Sequence, residues 1–266
     1  MTTRNNKPER VIAAIQVRMG SKRLPDKVLK DLCGKPLVEH IVDRLHRAKE
    51  IDGIVIATTD QPKDDSLEVF AKKSNLPFFR GQEADVFERL YGAGKQENAT
   101  AILRLTGDNP FYDERIIDQL VSQFRKRSNV IAFATTCMPL TFPEGLSMEL
   151  IKMSTLKNLR ERLKTVAERE GFAVLLTRNI QEFPRYVLKS PEDLSHFRLA
   201  IDYPEDFIVA EKVISNFLKA GKPDFSLDEA VQFLKDHPEI VAINGYRQDR
   251  GKYPFSVSDE AVQKAR

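Results

Sequence analysis

From Val11 to Thr135 the chain alternates short β-branched or apolar runs with amphipathic helical stretches. The apolar runs Val11–Ile15, Ile54–Thr59, Phe78–Arg80, Ala101–Thr106 and Val130–Thr135 read as strands. Between them, Leu37–Arg47, Asp64–Ser74, Asp85–Lys95 and Glu114–Phe124 read as helices; Leu37, Ile41, Leu45 and Ala48 recur at helical spacing. Such alternation with short turns predicts an α/β fold, a mostly parallel sheet with helices on both faces. Ligands in these sheets bind beyond the carboxyl ends of the strands. That rule puts the Arg18–Lys27 loop, Thr58-Thr59-Asp60 and Gly107-Asp108-Asn109 on one rim.

The pattern loosens from Cys137 to His196, where Pro139, Pro143, Pro184 and Pro191 interrupt it. A charged helical stretch is expected over Lys157–Glu170. The segment reads as an insertion that covers the site, meets a partner subunit, or both. Regularity returns with a strand at Arg198–Ile201, a helix from Asp202-Tyr203-Pro204 to about Leu218, and a helix over Leu227–Lys235 that ends before His237-Pro238. The expected organisation is one domain over 1–244, with 137–197 inserted, and an extended tail at 245–266. At 266 residues, 41% hydrophobic and 30% charged, the chain is long enough to bury a full core. A net charge of +3, spread along the chain, argues against a nucleic-acid partner. Cys33 and Cys137 have no CxxC spacing and indicate neither a disulfide framework nor a zinc site. No apolar run approaches the roughly 20 residues of a membrane span, and MTTRNNKPER has no signal-peptide pattern. The expectation is a cytoplasmic protein without membrane insertion.

Chemistry concentrates in VIAAIQVRMGSKRLPDKVLKDLCGKPL, residues 11–37. The first strand runs into Arg18, Lys22, Arg23 and Lys27, interspersed with Gly20, Ser21, Pro25 and Asp26. Free backbone N–H groups and fixed cations ahead of a helix suit a polyanion, most economically a triphosphate. The alternative is a solvated basic loop. Asp108 and Asp202 each follow a strand on the same rim. They are placed to hold Mg²⁺ between protein and phosphate oxygens, or to act as a turn residue and a helix cap. Asp60 reads as a ribose or phosphate contact or a turn residue, and Arg80 as a group able to reach the site. His40 and His46 read as surface or interface residues. His196, beside Arg198, orients a neighbour of the metal or is structural. No Ser-His-Asp triad, HExxH, Walker A or GxGxxG is present, which fits phosphoryl chemistry done by positioning and charge.

VRMGSKRLPDKVLKDLCGKPLVEHIVDRL resembles the N-terminal signature of the cytidylyltransferases that make CMP-activated acidic sugars. These include the CMP-3-deoxy-octulosonate and CMP-sialate synthetases; the nearest subgroup is the SpsF-like spore-coat polysaccharide biosynthesis proteins. ATTDQPKDD, RGQEADVFERLYGA, ILRLTGDNPFYD, FPEGLSMEL and DLSHFRLAIDYPEDF continue the resemblance in family order to about Asn244. It implies a nucleotide-diphospho-sugar transferase (GT-A-like) fold. It also implies CTP and Mg²⁺, an anionic acceptor, loss of pyrophosphate and a homodimer. Carried over by position, Arg18, Arg23 and Lys27 are the catalytic cations. Val17, Gly20, Ser21, Lys22, Thr59, Asp60, Arg80, Thr106 and Gly107 line the nucleotide, and Asp108 and Asp202 bind the metal. Glu144, Gly145, Glu149, Arg169 and His196 face the acceptor. No histidine is placed to deprotonate the acceptor, so a metal-bound oxygen or a carboxylate such as Asp206 is expected to help. A bulky Tyr203 stands where the family motif is usually smaller. Two alternatives make different demands on the sequence. A GT-A glycosyltransferase would need an Asp-x-Asp, which the chain lacks; a non-catalytic nucleotide-binding protein would have lost Lys27 or a metal aspartate. The acceptor, a ulosonic acid or a phosphate monoester, is not legible.

Overall fold

The computed structural model describes residues 9–178 and 181–247. The alternating half forms β1 (Val11–Gln16), α1 (Leu37–Arg47), β2 (Gly53–Thr59), α2 (Asp65–Lys73), β3 (Phe78–Gly81), α3 (Val86–Gln96), β4 (Ala101–Thr106), α4 (Glu114–Arg127) and β5 (Phe133–Thr135). Then come β6 (Glu149–Lys152), α5 (Met153–Arg162), α6 (Val166–Glu170), α7 (Phe172–Arg178), β7 (Arg185–Val187), α8 (Pro204–Lys219), α9 (Leu227–Asp236) and α10 (Pro238–Asn244). Seven strands form one sheet in the order β3-β2-β1-β4-β6-β5-β7. All neighbours pair in parallel except β6, which runs antiparallel to both β4 and β5.

The period-2 alternation of a strand sends its side chains to opposite faces. Val11, Ala13 and Ile15 enter the core under α1, α2, α4, α8 and α9, while Ile12 and Ala14 enter the core under α3, α5 and α7. Both layers are dry, which is why β1 reads as an unbroken apolar run.

The segment from 137 departs from its expected form. Residues 149–152 and 185–187 are strands of the main sheet, and β6 separates β4 from β5. The charged helix expected over 157–170 is two helices. Leu163 is drawn into the core, and Thr165 caps α6 through the Glu168 N–H, so the chain turns there. Leu156, Leu159, Leu163 and Phe172 are interior residues of this chain, and Leu175 packs against them. Their number therefore calls for no partner surface. The side chain of Val174 lies outside the described residues, as do 248–266 of the expected tail; Gly245–Arg247 is a short 3-10 turn. The strand expected over Val130–Thr135 begins only at Phe133, because Val130 is exposed. Arg198–Ile201 is extended but makes a single bridge, Arg198 to Glu144, and not a strand. Pro238, expected to follow the last helix, instead opens α10 at the position where a missing N–H costs nothing. His40 is buried, with Nε2 2.7 Å from the Leu32 carbonyl, whereas His46 is exposed.

Candidate active site

Three chain segments meet at the carboxyl end of β1 and β4. The first is the loop after β1. Met19 N–H donates to the buried Asp64 at 2.6 Å, and Asp64 is also bonded by the Thr59 hydroxyl. This ties the start of the basic loop to the end of β2. Asp26, at a φ of 56°, then turns the chain into a short 3-10 helix whose first residue is Lys27. The second is the turn after β4. Gly107 donates to the Gln16 carbonyl at 3.0 Å, and a Cβ on it would lie 2.1 Å from Val17 Cγ1. Only glycine lets the β1 and β4 ends approach this closely. The third is Arg198–Asp202, whose Ile201 N–H donates to the Asp108 carbonyl at 2.8 Å.

Lys27 is the hub. Its side chain is only 10% exposed, and its Nζ donates to the Ile201 carbonyl at 2.5 Å and to Asp202 Oδ1 at 2.9 Å. Asp108 Oδ2 lies 3.5 Å away. Arg23 reaches the same Asp202 Oδ1 at 2.8 Å and donates to the Tyr203 hydroxyl at 3.2 Å. Two rim carboxylates thus surround one ammonium, and Asp202 carries a second cation. Burial alone would raise the Asp202 pKa. Lys27, with Arg23 and Arg198 behind it, more than offsets this and holds the carboxyl below its ordinary value.

The alternative roles for the two aspartates belong to their neighbours. Asn109 Oδ1 accepts from Phe111 N–H, so Asn109 shapes the turn and leaves the Asp108 carboxylate toward Lys27. Asp206 caps α8, its Oδ2 accepting from the N–H groups of Asp202 and Tyr203 at 2.9 Å each. Asp206 also takes two bonds from Arg198 and one from Asn244. With both oxygens engaged and the residue buried, it has no site for an acceptor proton, which corrects its expected role as base.

Arg198, absent from the expected site, stands behind Asp202. Its side chain is 2% exposed and pairs with Glu144, with Asp206 at 2.8 Å and with Asp202 Oδ2 at 3.3 Å. Gly145 permits this: its φ is 113°, and a Cβ there would meet Ala200 N at 2.6 Å. The only sequence signal for Arg198 was an arginine inside an otherwise apolar run.

Other expected residues serve nearby or elsewhere. Arg18 is exposed and 3.6 Å from Glu83, and Lys22 is exposed. Ser21 Oγ accepts from Leu24 N–H at 3.4 Å, and Gly20 packs beside Lys63. Asp60 is exposed, with its N–H on the Gly81 carbonyl. Thr106 is held through its N–H and hydroxyl by the Tyr112 hydroxyl. The Arg80 guanidinium is committed to the carbonyls of Thr59 and Gln61 and to Asp65 and Glu68, so it braces the loop after β2. Of the residues expected at the acceptor, Glu144 faces Arg198, and Glu149 pairs with Arg104 at 3.0 Å. Arg169 pairs with Asp85 at 2.7 Å, and His196 is exposed with its ring 4.2 Å from that of Phe197. Glu144 thus joins the Lys27 cluster through Arg198, whereas Glu149 and Arg169 are paired elsewhere.

A family model described as cytidylyltransferase matches residues 12–165. The chain is similar to the spore coat polysaccharide biosynthesis protein SpsF of Bacillus subtilis, 31% identical over 87% of this chain and 96% of SpsF. It is also similar to a 3-deoxy-manno-octulosonate cytidylyltransferase of Anaeromyxobacter, 29% identical over 64% of this chain and 63% of the relative. Among solved structures, a cytidylyltransferase from Leptospira borgpetersenii superposes with a TM-score of 0.83 at 32% identity, covering 92% of this chain and 99% of its own.

Proposed function

This chain belongs to the cytidylyltransferase family, and from that premise we propose that it transfers CMP from CTP to an anionic sugar and releases pyrophosphate. The observation that carries the reading is Lys27, held between Asp108 and Asp202 at the meeting of three rim segments. In the reaction an acceptor hydroxyl oxygen bonds to the α-phosphorus. The bond from that phosphorus to the bridging oxygen breaks, pyrophosphate departs, and the acceptor's proton passes to water.

Arg23 and Lys27 supply mobile positive charge for the triphosphate, with Arg18, Lys22 and the N–H groups near Gly20 and Ser21 on the same loop. Both cations rest on Asp202. A triphosphate would draw them off and leave Asp202 and Asp108 free to coordinate. Two partly exposed carboxylates on neighbouring segments are what Mg²⁺ takes from a protein when phosphate oxygens and water complete its octahedron, so the residues fit that ion. Bound there, it would neutralise phosphate charge and orient the α-phosphate. Arg198 fixes the carboxylate of Asp202 from behind.

The acceptor class is read from the relatives, whose names refer to coat polysaccharide and to an octulosonic acid. An acidic sugar for surface polysaccharide, activated in the cytoplasm, is the reading that joins them. A homodimer belongs to the same proposal on resemblance alone, and light scattering at micromolar concentration checks it, a single-chain mass counting against it. The deciding experiment measures pyrophosphate release with CTP, UTP, ATP and GTP against a panel of ulosonic acids and phosphate monoesters. CTP with a ulosonic acid should be fastest. A faster reaction with a purine nucleotide would overturn the nucleotide assignment, and a faster one with a phosphate monoester would overturn the acceptor.

A further inference from the structure

On the α1 side of the sheet lies a cavity of about 340 Å³, lined by Lys35, Arg44 and Arg47 from α1 and its approach and by Ile214, Leu218 and Phe225 opposite. None of Arg23, Lys27, Asp108 or Asp202 lines it. Arg44 is 4% exposed, and among the described residues it makes no ion pair. Its Nη1 donates to the carbonyls of Tyr112 and Phe225 at 3.3 and 3.1 Å, and its guanidinium lies 4.6 Å from the centre of the Phe225 ring. The neighbouring Arg47 reaches Glu114 through Nη2 at 3.4 Å, but its Nε is buried and unpartnered.

A charged guanidinium out of water without a carboxylate is costly, as is each buried N–H left unbonded. The equally buried Arg198 has three carboxylates around it; Arg89, 5% exposed, shares with Arg44 the lack of an ion pair among the described residues but does not line this cavity. At Arg44 burial outweighs the pull of Glu114, Asp113 and Asp43 and pushes the pKa down to about 10. Lys35 is already paired with Asp43 and adds donors without adding net charge. Asp224 also lines the cavity, but it is exposed to water, which screens it.

We propose that this cavity is a second anion site, binding the phosphate group of a small molecule between Arg44 and Arg47, with the apolar wall of Ile214, Leu218 and Phe225 against the rest of the ligand. Planar guanidinium groups match phosphate oxygens through paired N–H bonds, and the volume suits a small metabolite and not a polymer.

The test is calorimetric titration of inorganic phosphate and of a sugar phosphate into the whole chain and into Arg44→Lys, Arg47→Ala and Lys27→Met. Circular dichroism reports folding of each variant. Lys27→Met, which alters only the rim, should leave one phosphate-binding event within about twofold. Arg44→Lys and Arg47→Ala should each weaken that event about tenfold or more, the loss expected of a charged hydrogen-bond pair. Should Arg44→Lys fail to fold, Arg47→Ala decides alone, since that side chain is partly exposed. Tighter binding of the sugar phosphate than of inorganic phosphate assigns the apolar wall to the ligand body; equal binding assigns the site to the phosphate group alone. The proposal is overturned if neither ligand binds at about 10 mM, beyond the range of specific affinity. It is equally overturned if binding disappears in Lys27→Met while surviving in both arginine variants.

Discussion

Replacing Lys27 with methionine keeps an unbranched side chain of similar length and removes the one ammonium lying between Asp108 and Asp202. The consequences point in opposite directions for two ligands, which makes the substitution informative. A divalent ion entering this site has to displace Nζ from Asp202, where it sits at 2.9 Å, and from the weaker 3.5 Å contact with Asp108. One good charged hydrogen bond is worth about 1.5–3 kcal/mol, so relief from that competition should tighten Mn²⁺ binding by roughly 10- to 100-fold. Turnover should move the other way. A cation aimed at phosphate charge in a preorganised site contributes about 3 kcal/mol, so kcat/KM for CTP should fall by at least about a hundredfold. Electron paramagnetic resonance of free Mn²⁺ measures the first effect, and coupled pyrophosphate release the second. If Lys27→Met binds Mn²⁺ no better than the parent chain, Lys27 is not a counter-ion of a metal site. If its kcat/KM also stays within threefold of the parent, a cutoff set well below the ~100-fold loss expected, the rim has been misread.

Asp108→Asn should fold normally and lose about two orders of magnitude or more in turnover, while metal-free CTP binding by equilibrium dialysis stays near that of the parent; a matching loss of metal-free binding would make Asp108 a nucleotide contact. Arg198→Met leaves Glu144 and Asp206 buried without their cation, so urea midpoints should report a loss of about 3–5 kcal/mol; adding Glu144→Gln should restore part of it, and a cost under about 1 kcal/mol, the scale of a surface pair, would show that the network is not coupled. Burial holds the His40 pKa down to about 4 against an ordinary 6.5. The unfolded chain therefore takes up a proton first as pH falls below 6.5, and stability should drop through the window down to pH 4 by as much as roughly 3 kcal/mol. A His40→Gln chain should lack that component, and parallel pH profiles of the two chains would refute the assignment.

The alternating half was legible because β1, β2 and β4 are buried on both faces and each helix on one, so burial writes its period directly into the residue order. The placement of Lys27 and Asp108 on one rim follows from that alternation and the direction of the strands, whereas Asp202 reaches it on an extended segment that is not a strand. What stayed hidden depends on distant pairings. Residues 149–152 carry a strand-like pattern too short to announce that they enter between two strands formed earlier. Arg198 looks like any arginine until Glu144, Asp206 and Asn244, far apart in the chain, are seen to converge on it. Asp206 reads as one more rim carboxylate, and only its bonds to Asp202 N–H, Tyr203 N–H and Arg198 reveal a cap. His40 was misassigned for a similar reason: a polar residue at one position of an amphipathic helix reveals its burial only once the Leu32 carbonyl is found to receive it.

The reversed strand β6 also governs the order in which the sheet can assemble on a ribosome. β1, β2, β3 and β4 find all their mutual partners within the first 106 residues. β5 emerges next with no neighbour to join, because both strands that flank it, β6 and β7, are synthesised later. Until residues 149–152 thread into place, β4 carries an open edge, the kind of surface on which nascent chains pair with one another. A chain terminated between β5 and β6 should therefore collect in aggregates, while one terminated past β7 has every strand of the sheet and β4 paired on both sides; pulse-labelled fragments released at the two lengths would differ in sedimentation for that reason.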